Sequence, residues 1–315
     1  LIDQKPVFAP RKTMFSRLIL AALATSCLLS VSASAQEKPK RLVIACSTTQ
    51  VGDFVRQVVG DRCEVHCVLA PGQDPHLYRI RPQDAKLVAA ADICFDNGLH
   101  LEGKDWMRAL AEDAGKPIVS CATGVEPLKL AEEGGETDTD PHAWFTPKNA
   151  SVYVRNILKE VSKRDPDHKA EYEARAKLYL DQLRVLNAWI VEQVNLIPPH
   201  KRVLVTSHDA FGYFCREYKF TAQAPTGWST DQEIGGGATP ERIKATADAI
   251  RKQGVKAIFI ETSVSPKIIE EIAKEAGIKV GGALYSDSMG PPGSGGETYL
   301  GMMRENVLTI VEAMK

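Results

Sequence analysis

Asp165–Pro199, DPDHKAEYEARAKLYLDQLRVLNAWIVEQVNLIPP, holds neither glycine nor proline between Pro166 and Pro198. Apolar residues fall at Tyr172, Ala176, Tyr179, Leu183, Leu186, Ile190, Val194 and Ile197. Steps of three and four put them on one face of a single helix. Asp165-Pro166 reads as its entry and Pro198-Pro199 as its stop. About 30 residues rising ~1.5 Å each make a rod of ~45 Å, longer than the radius of a lobe. Because strand and helix signals alternate on both sides of it, the rod is expected to connect two lobes.

On the N-terminal side RLVIAC (41–46), CEVHCVLA (63–70), ADICFD (91–96) and PIVSC (117–121) read as strands. Helical patterns run through Val51, Phe54, Val55 and Val58, then around Pro82–Ala90, Lys104–Ala114 and Pro147–Ser162. Acidic AEEGGETDTD (131–140) has no apolar period and reads as a solvated loop. Beyond the rod come strand RVLVTS (202–207), helix Ala210–Tyr218, helix Pro240–Gln253, strand VKAIFIE (255–261), helix Pro266–Ala276, strand IKVGGAL (278–284) and helix Tyr299–Met314. EIGGG (233–237) and GSGGE (293–297) read as loops, and neither has the form of a phosphate-binding GxGxxG turn. This alternation predicts an α/β chain with parallel sheets flanked by helices.

The segment from Met14, MFSRLILAALATSCLLSVSASAQ, has a basic Arg17, an apolar run and small residues at Ala33 and Ala35. That is the layout of a secretory signal peptide, expected to be cut after Ala35. Cys27 offers a lipoprotein alternative, although Ala24-Thr25-Ser26 is a poor lead-in to acylation. The expected organisation is upstream residues and signal peptide (1–35), an N-terminal βα lobe (36–164), the linking helix (165–198) and a C-terminal βα lobe (199–315). The remaining 280 residues are long enough for two lobes, each with its own core. They carry 35 basic and 39 acidic side chains, a balance with no basic face for nucleic acid. Six cysteines remain after cleavage, in no spacing typical of a small disulfide scaffold or a CxxC metal clip.

Ligands of open parallel sheets gather beyond the carboxyl ends of strands. That rule selects His76 after the second strand, His142 after the fourth, His208 directly after VLVTS, and Asp287 three residues after IKVGGAL. Three imidazoles and a carboxylate make up a complete shell for a divalent transition metal. His76 and His142 both sit in Asp-Pro-His triplets, QDPHLYRI and TDPHAWFT, which read as helix-entry turns. His66 inside a strand, His168 at the start of the rod and His200 in a Pro-rich loop read as structural or solvent-facing. His100, which also follows a strand, stays open. There is no GxSxG and no HExxH, and the neighbours Ser207, His208 and Asp209 do not read as a triad.

NGLHLEGK (97–104), the two DPH turns, TSHDAFGYF (206–214), IFIETSVSPK (258–267), LYSDSMG (284–290) and TYLGMMRENV (298–307) resemble, in order, the zinc/manganese substrate-binding proteins of bacterial ABC transporters, the TroA-like family. The resemblance runs over 41–315. It implies two βα lobes joined by a rigid helix with the metal in the cleft between them, and its ligands fall on His76, His142, His208 and Asp287. It implies a periplasmic monomer that delivers Zn²⁺ or Mn²⁺ to a membrane permease, with no catalysis. Three nitrogens and a carboxylate suit zinc, whereas manganese prefers more oxygen. Manganese-tuned members often carry Glu where His208 stands, and zinc-dedicated members often carry a His-rich loop where AEEGGETDTD stands. The sequence therefore points between the two metals. GGGATPERI (235–243) departs from the usual wording of the family. A zinc hydrolase and a metal-binding surface lipoprotein or adhesin are the alternatives.

Overall fold

The computed structural model describes residues 41–131, 137–223 and 239–315. The signal segment, the EIGGG loop and the middle of the acidic loop lie outside the described residues. The N-terminal lobe contains β1 (Val43–Cys46), α1 (Thr49–Val59), β2 (Glu64–Cys67), α2 (Pro82–Ala90), β3 (Ile93–Asp96), α3 (Trp106–Asp113) and β4 (Ile118–Ser120). A hairpin of β5 (Lys129–Ala131) and β6 (Thr137–Thr139) follows, then α4 (Pro147–Arg164). The long helix α5 (Lys169–Val194) is entered through a 3-10 turn at Pro166–His168. The C-terminal lobe contains β7 (Val203–Val205), α6 (Gly212–Tyr218), β8 (Thr221–Gln223), α7 (Pro240–Lys252), β9 (Ala257–Glu261), α8 (Lys267–Ala276), β10 (Lys279–Leu284) and α9 (Tyr299–Met314).

β2, β1, β3 and β4 form one sheet in that order, every pair parallel. β7 pairs with β8 and β9 with β10, again parallel. Two elements differ from the sequence reading. The 131–140 stretch is not all loop, because β5 and β6 pair antiparallel across it; its ends are held by Asp140 N–H to the Leu128 carbonyl (2.8 Å) and Leu128 N–H to the Tyr213 hydroxyl (3.0 Å). β8 also adds a strand where none is expected, three residues too short to show a period.

Strand alternation decides which core each side chain joins. Ile44, Cys46, Ile93 and Phe95 face the core that also holds α1, α4 and α5, whereas Ala45 and Cys94 face a second one with α2 and α3. Likewise Leu204, Ala257 and Phe259 face the first core, and Val205 and Ile258 face a third one under α7 and α8. The inner faces of both lobes thus share one core, instead of each lobe closing around its own. α5 runs through it: Tyr172, Ala176, Tyr179, Leu183, Leu186, Ile190 and Val194 are its buried residues, and Ile197 just beyond is fully buried. It packs on α1 and α4 of one lobe and α9 of the other. Cys46, Cys63, Cys67, Cys94, Cys121 and Cys215 are free thiols, all but Cys67 buried.

Candidate metal centre

Each Asp-Pro-His triplet is a turn closed by its own aspartate. Asp74 Oδ1 accepts the His76 backbone N–H (2.7 Å), and Asp140 Oδ1 accepts that of His142 (2.9 Å). These are the contacts of a helix N-cap, yet no α-helix follows either one. Irregular backbone runs from His76 to Arg81, and a 3-10 turn at Ala143–Phe145 follows His142. Side chains after β3 reach both proline carbonyls. Trp106 Nε1–H donates to Pro75 (2.9 Å) and Asn97 Nδ2–H to Pro141 (3.0 Å). The NGLHLEGK loop packs so closely that a Cβ on Gly103 would overlap the His76 carbonyl oxygen. Glycine is needed there for close approach. His142 is braced further by the Trp144 ring, edge-on at 5.4 Å, and the Trp144 carbonyl accepts from the Tyr299 hydroxyl (2.6 Å).

His208 stands just beyond β7 and Asp287 just beyond β10. The structure brings both against the two turns. His76 Nε2 and His142 Nε2 are 3.2 Å apart. Asp287 Oδ1 lies 3.2 Å from His142 Nε2 and 3.8 Å from His76 Nε2, and its Oδ2 lies 3.1 Å from His208 Nε2. One donor atom from each of the four residues falls within 4.8 Å of all the others. His142, His208 and Asp287 are buried, while the His76 side chain keeps 12 % of its surface exposed.

Two further carboxylates, outside the four picked from sequence, orient the imidazoles from behind. Asp140 Oδ1 lies 2.8 Å from His142 Nδ1. Glu261, the last residue of β9 and 2 % exposed, accepts the His208 N–H at Oε1 (2.9 Å) and lies 2.7 Å from His208 Nδ1 at Oε2. Such partners hold a proton on Nδ1 and leave the Nε2 lone pair facing the ligand. The strand-end rule also points at Glu261, whereas nothing in sequence distinguishes the double use of Asp140.

The charges are tightly coupled. Burial opposes a charged His142, but Asp140 and Asp287 overcome it and raise its pKa to about 9. Burial likewise opposes a charged His208, and Glu261 and Asp287 hold its pKa well above the usual range. Burial would raise Asp287; the His208 charge and hydrogen bonds from His142 and His208 instead hold it well below the usual carboxylate range. Beside them Asp209 is pushed up to about 6, by burial against the pull of His208 and His142. His208 Nδ1 and Nε2, Glu261 Oε2 and Asp287 Oδ1 are all buried without an aligned hydrogen-bond partner, so His208 meets both carboxylates through close charge contacts.

The other histidines stay apart. His66 is exposed on β2, and His200 is exposed after α5. His168 pairs with Asp165 at the entry to α5 (2.8 Å). His100, left open by sequence, pairs with Asp105 at the surface (3.2 Å) with 77 % of its side chain exposed.

A two-lobed α/β chain with a buried cluster of three imidazoles and a carboxylate at its strand ends defines a class of solute-binding proteins. The chain matches, over residues 44–313, the family described as zinc-uptake complex component A, periplasmic, and belongs to it. It is similar to the manganese-binding lipoprotein MntA of Bacillus subtilis, 34% identical over 313 residues covering 97% of this chain and 100% of that one. It is also similar to the metal ABC transporter substrate-binding lipoprotein SsaB of Streptococcus sanguinis, 31% identical over 96% of this chain and 99% of the relative. Among solved structures it resembles the periplasmic zinc binding protein TroA from Treponema pallidum, with a TM-score of 0.80 and 31% identity over 87% of this chain and 99% of that one.

Proposed function

We propose that this protein captures a divalent transition-metal ion, Zn²⁺ or Mn²⁺, outside the cytoplasmic membrane and hands it to an ABC transporter permease, with His76, His142, His208 and Asp287 as the ligands. The observation that carries this reading is the meeting of four donor atoms within 4.8 Å, with Asp140 and Glu261 behind two of the imidazoles. The donor set favours zinc on nitrogen count and still admits manganese. The resemblance to a relative described as manganese-binding and to a structure described as zinc-binding supports keeping both ions. Each lobe, 36–164 and 199–315, contributes two ligands on either side of the helix at 165–198, so the ion bridges the lobes. The protein acts as a monomer without nucleic acid. It binds its ion and does not turn over a substrate, because Asp287 fills the coordination position that a hydrolytic zinc site keeps for water. Its export follows from the signal peptide; no helix among the described residues is long and apolar enough to cross a membrane.

The test is to purify the mature chain without chelators, measure bound metals, and record melting with and without added Zn²⁺ and Mn²⁺. A ligand that binds only the folded state at a hundredfold its Kd stabilises by about 2.7 kcal/mol. A metal-free protein whose melting ignores both ions overturns the proposal.

A further inference from the structure

Asp287 is the one ligand whose carboxylate reaches all three imidazoles, and it sits on a segment with no regular structure of its own. What holds that segment lies mostly in the other lobe. Gln50 Nε2–H donates to the Ser286 carbonyl (3.0 Å). The Gly72 backbone N–H donates to Ser288 Oγ (2.7 Å). The Met289 backbone N–H donates to Thr49 Oγ1 (2.9 Å). Every residue of 286–289 except the ligand itself is therefore tied across the chain, over 216 to 240 positions of sequence. Thr49 and Gln50 open α1 directly beyond β1, and both are buried, 7 % and 2 % exposed. Thr49 Oγ1–H also donates to Gln50 Oε1 (3.0 Å), which fixes the amide so that its N–H faces Ser286. From its own lobe the segment has Ser263, whose hydroxyl reaches Ser286 Oγ (2.7 Å) and Asp287 Oδ2 (3.2 Å).

We infer that Thr49, Gln50 and Ser288 are positioning residues that clasp the Asp287 segment against the N-terminal lobe and set how fast the bound ion leaves. The inference rests on the metal-binding reading above. None of the three contributes a donor atom to the four-residue cluster, so they act through Asp287 alone. Hydrogen bonds present only while the segment is seated stabilise the loaded state and not the open one. Their loss therefore accelerates release and leaves capture unchanged.

The experiment measures Zn²⁺ and Mn²⁺ association by stopped-flow mixing, and dissociation into excess chelator, for wild type, Gln50→Ala, Gln50→Glu, Thr49→Val, Ser288→Ala and Ser288→Thr. Gln50→Ala, Thr49→Val and Ser288→Ala are each expected to speed release about 3- to 10-fold, the range one net hydrogen bond supports, at an unchanged association rate. Gln50→Glu, which has no N–H to donate, should release at least as fast as Gln50→Ala. Ser288→Thr, which keeps the hydroxyl, should release the ion more slowly than Ser288→Ala. If wild type takes up neither ion, the functional reading itself fails. If wild type binds and the variants release at its rate, or if association slows as much as release quickens, the clasp is refuted. Ser288→Ala removes a single oxygen and keeps the test decisive should the α1 variants fold poorly.

Discussion

Glu261→Gln is the sharpest probe of how the centre is wired. Both groups that Glu261 faces on His208 are donors, the backbone N–H at 2.9 Å and Nδ1 at 2.7 Å. A carboxylate serves both, while an amide offers one oxygen and turns an NH₂ toward the other. The variant thus loses a charge-assisted contact in a buried setting, about 1.5–3 kcal/mol, or roughly 10- to 100-fold in metal affinity, as for other partners behind a metal-bound imidazole. The loss should also depend on pH. In wild type Glu261 helps hold a proton on His208, and the ion must displace that proton. Without the carboxylate the His208 pKa falls, so proton competition weakens. The affinity deficit should therefore be largest near pH 8.5 and shrink toward pH 6. Chelator-competition titrations with Zn²⁺ and Mn²⁺ at several pH values, with circular dichroism as a check on folding, read both effects. Affinity equal to wild type across that range refutes the orienting role, and a constant offset with an unchanged pH slope refutes the proton account.

Three more outcomes follow from the same geometry. In the metal-free protein the pKa of His142 is raised to about 9 from 6.5, so its contribution to stability is full below pH ~6.5 and lost as pH rises through ~9; thermal melts should show this decline without metal and a smaller one with Zn²⁺ bound. His208→Ala should weaken binding of both ions by more than 100-fold in titrations while the metal-free circular dichroism spectrum stays that of wild type, since ~1.4 kcal/mol is tenfold and a ligand bond exceeds two such steps. Leu183→Ala, at a position on α5 that is 1 % exposed, should cost about 2–5 kcal/mol in denaturant unfolding; because the core is shared, both lobes should unfold in the same transition, and two separate transitions would contradict that.

The long helix was legible because 26 residues give its apolar period room to repeat and because prolines mark both ends. Strand-end positions were legible for a topological reason: parallel strands deliver their following residues to one edge, so His208 and Asp287 need only follow β7 and β10 to come near each other. What stayed hidden depends on contacts made across the chain. β8 and the β5–β6 hairpin are three-residue strands that take their order from neighbours such as Tyr213. The DPH triplets look like helix entries locally, yet no α-helix follows directly, and their proline carbonyls meet Trp106 and Asn97, remote in sequence. Thr49 and Gln50 do occupy a strand end, beyond β1. Nothing in STTQ says that their partners lie more than 230 positions away.

The shared core also bears on how a bound ion gets out. A wide separation of the lobes would pull apart Phe54 from Tyr299, whose ring centroids lie 4.7 Å apart, and Phe145 from Phe211 at 4.3 Å. Exposing four such aromatic side chains costs about 1.5–3 kcal/mol each, or ~6–12 kcal/mol in all. Unseating segment 286–289 breaks three hydrogen bonds to the other lobe, at ~0.5–1.5 kcal/mol each. α5 packs on both lobes and cannot hinge without breaking its own backbone ladder. The segment carries Asp287, the proposed ligand whose carboxylate lies nearest every imidazole. Withdrawing that carboxylate removes the only anion among the four donors and leaves three imidazoles to hold a dication. Movement of this segment, with the lobes tilting little, separates Asp287 from the imidazoles while the shared aromatic core stays intact.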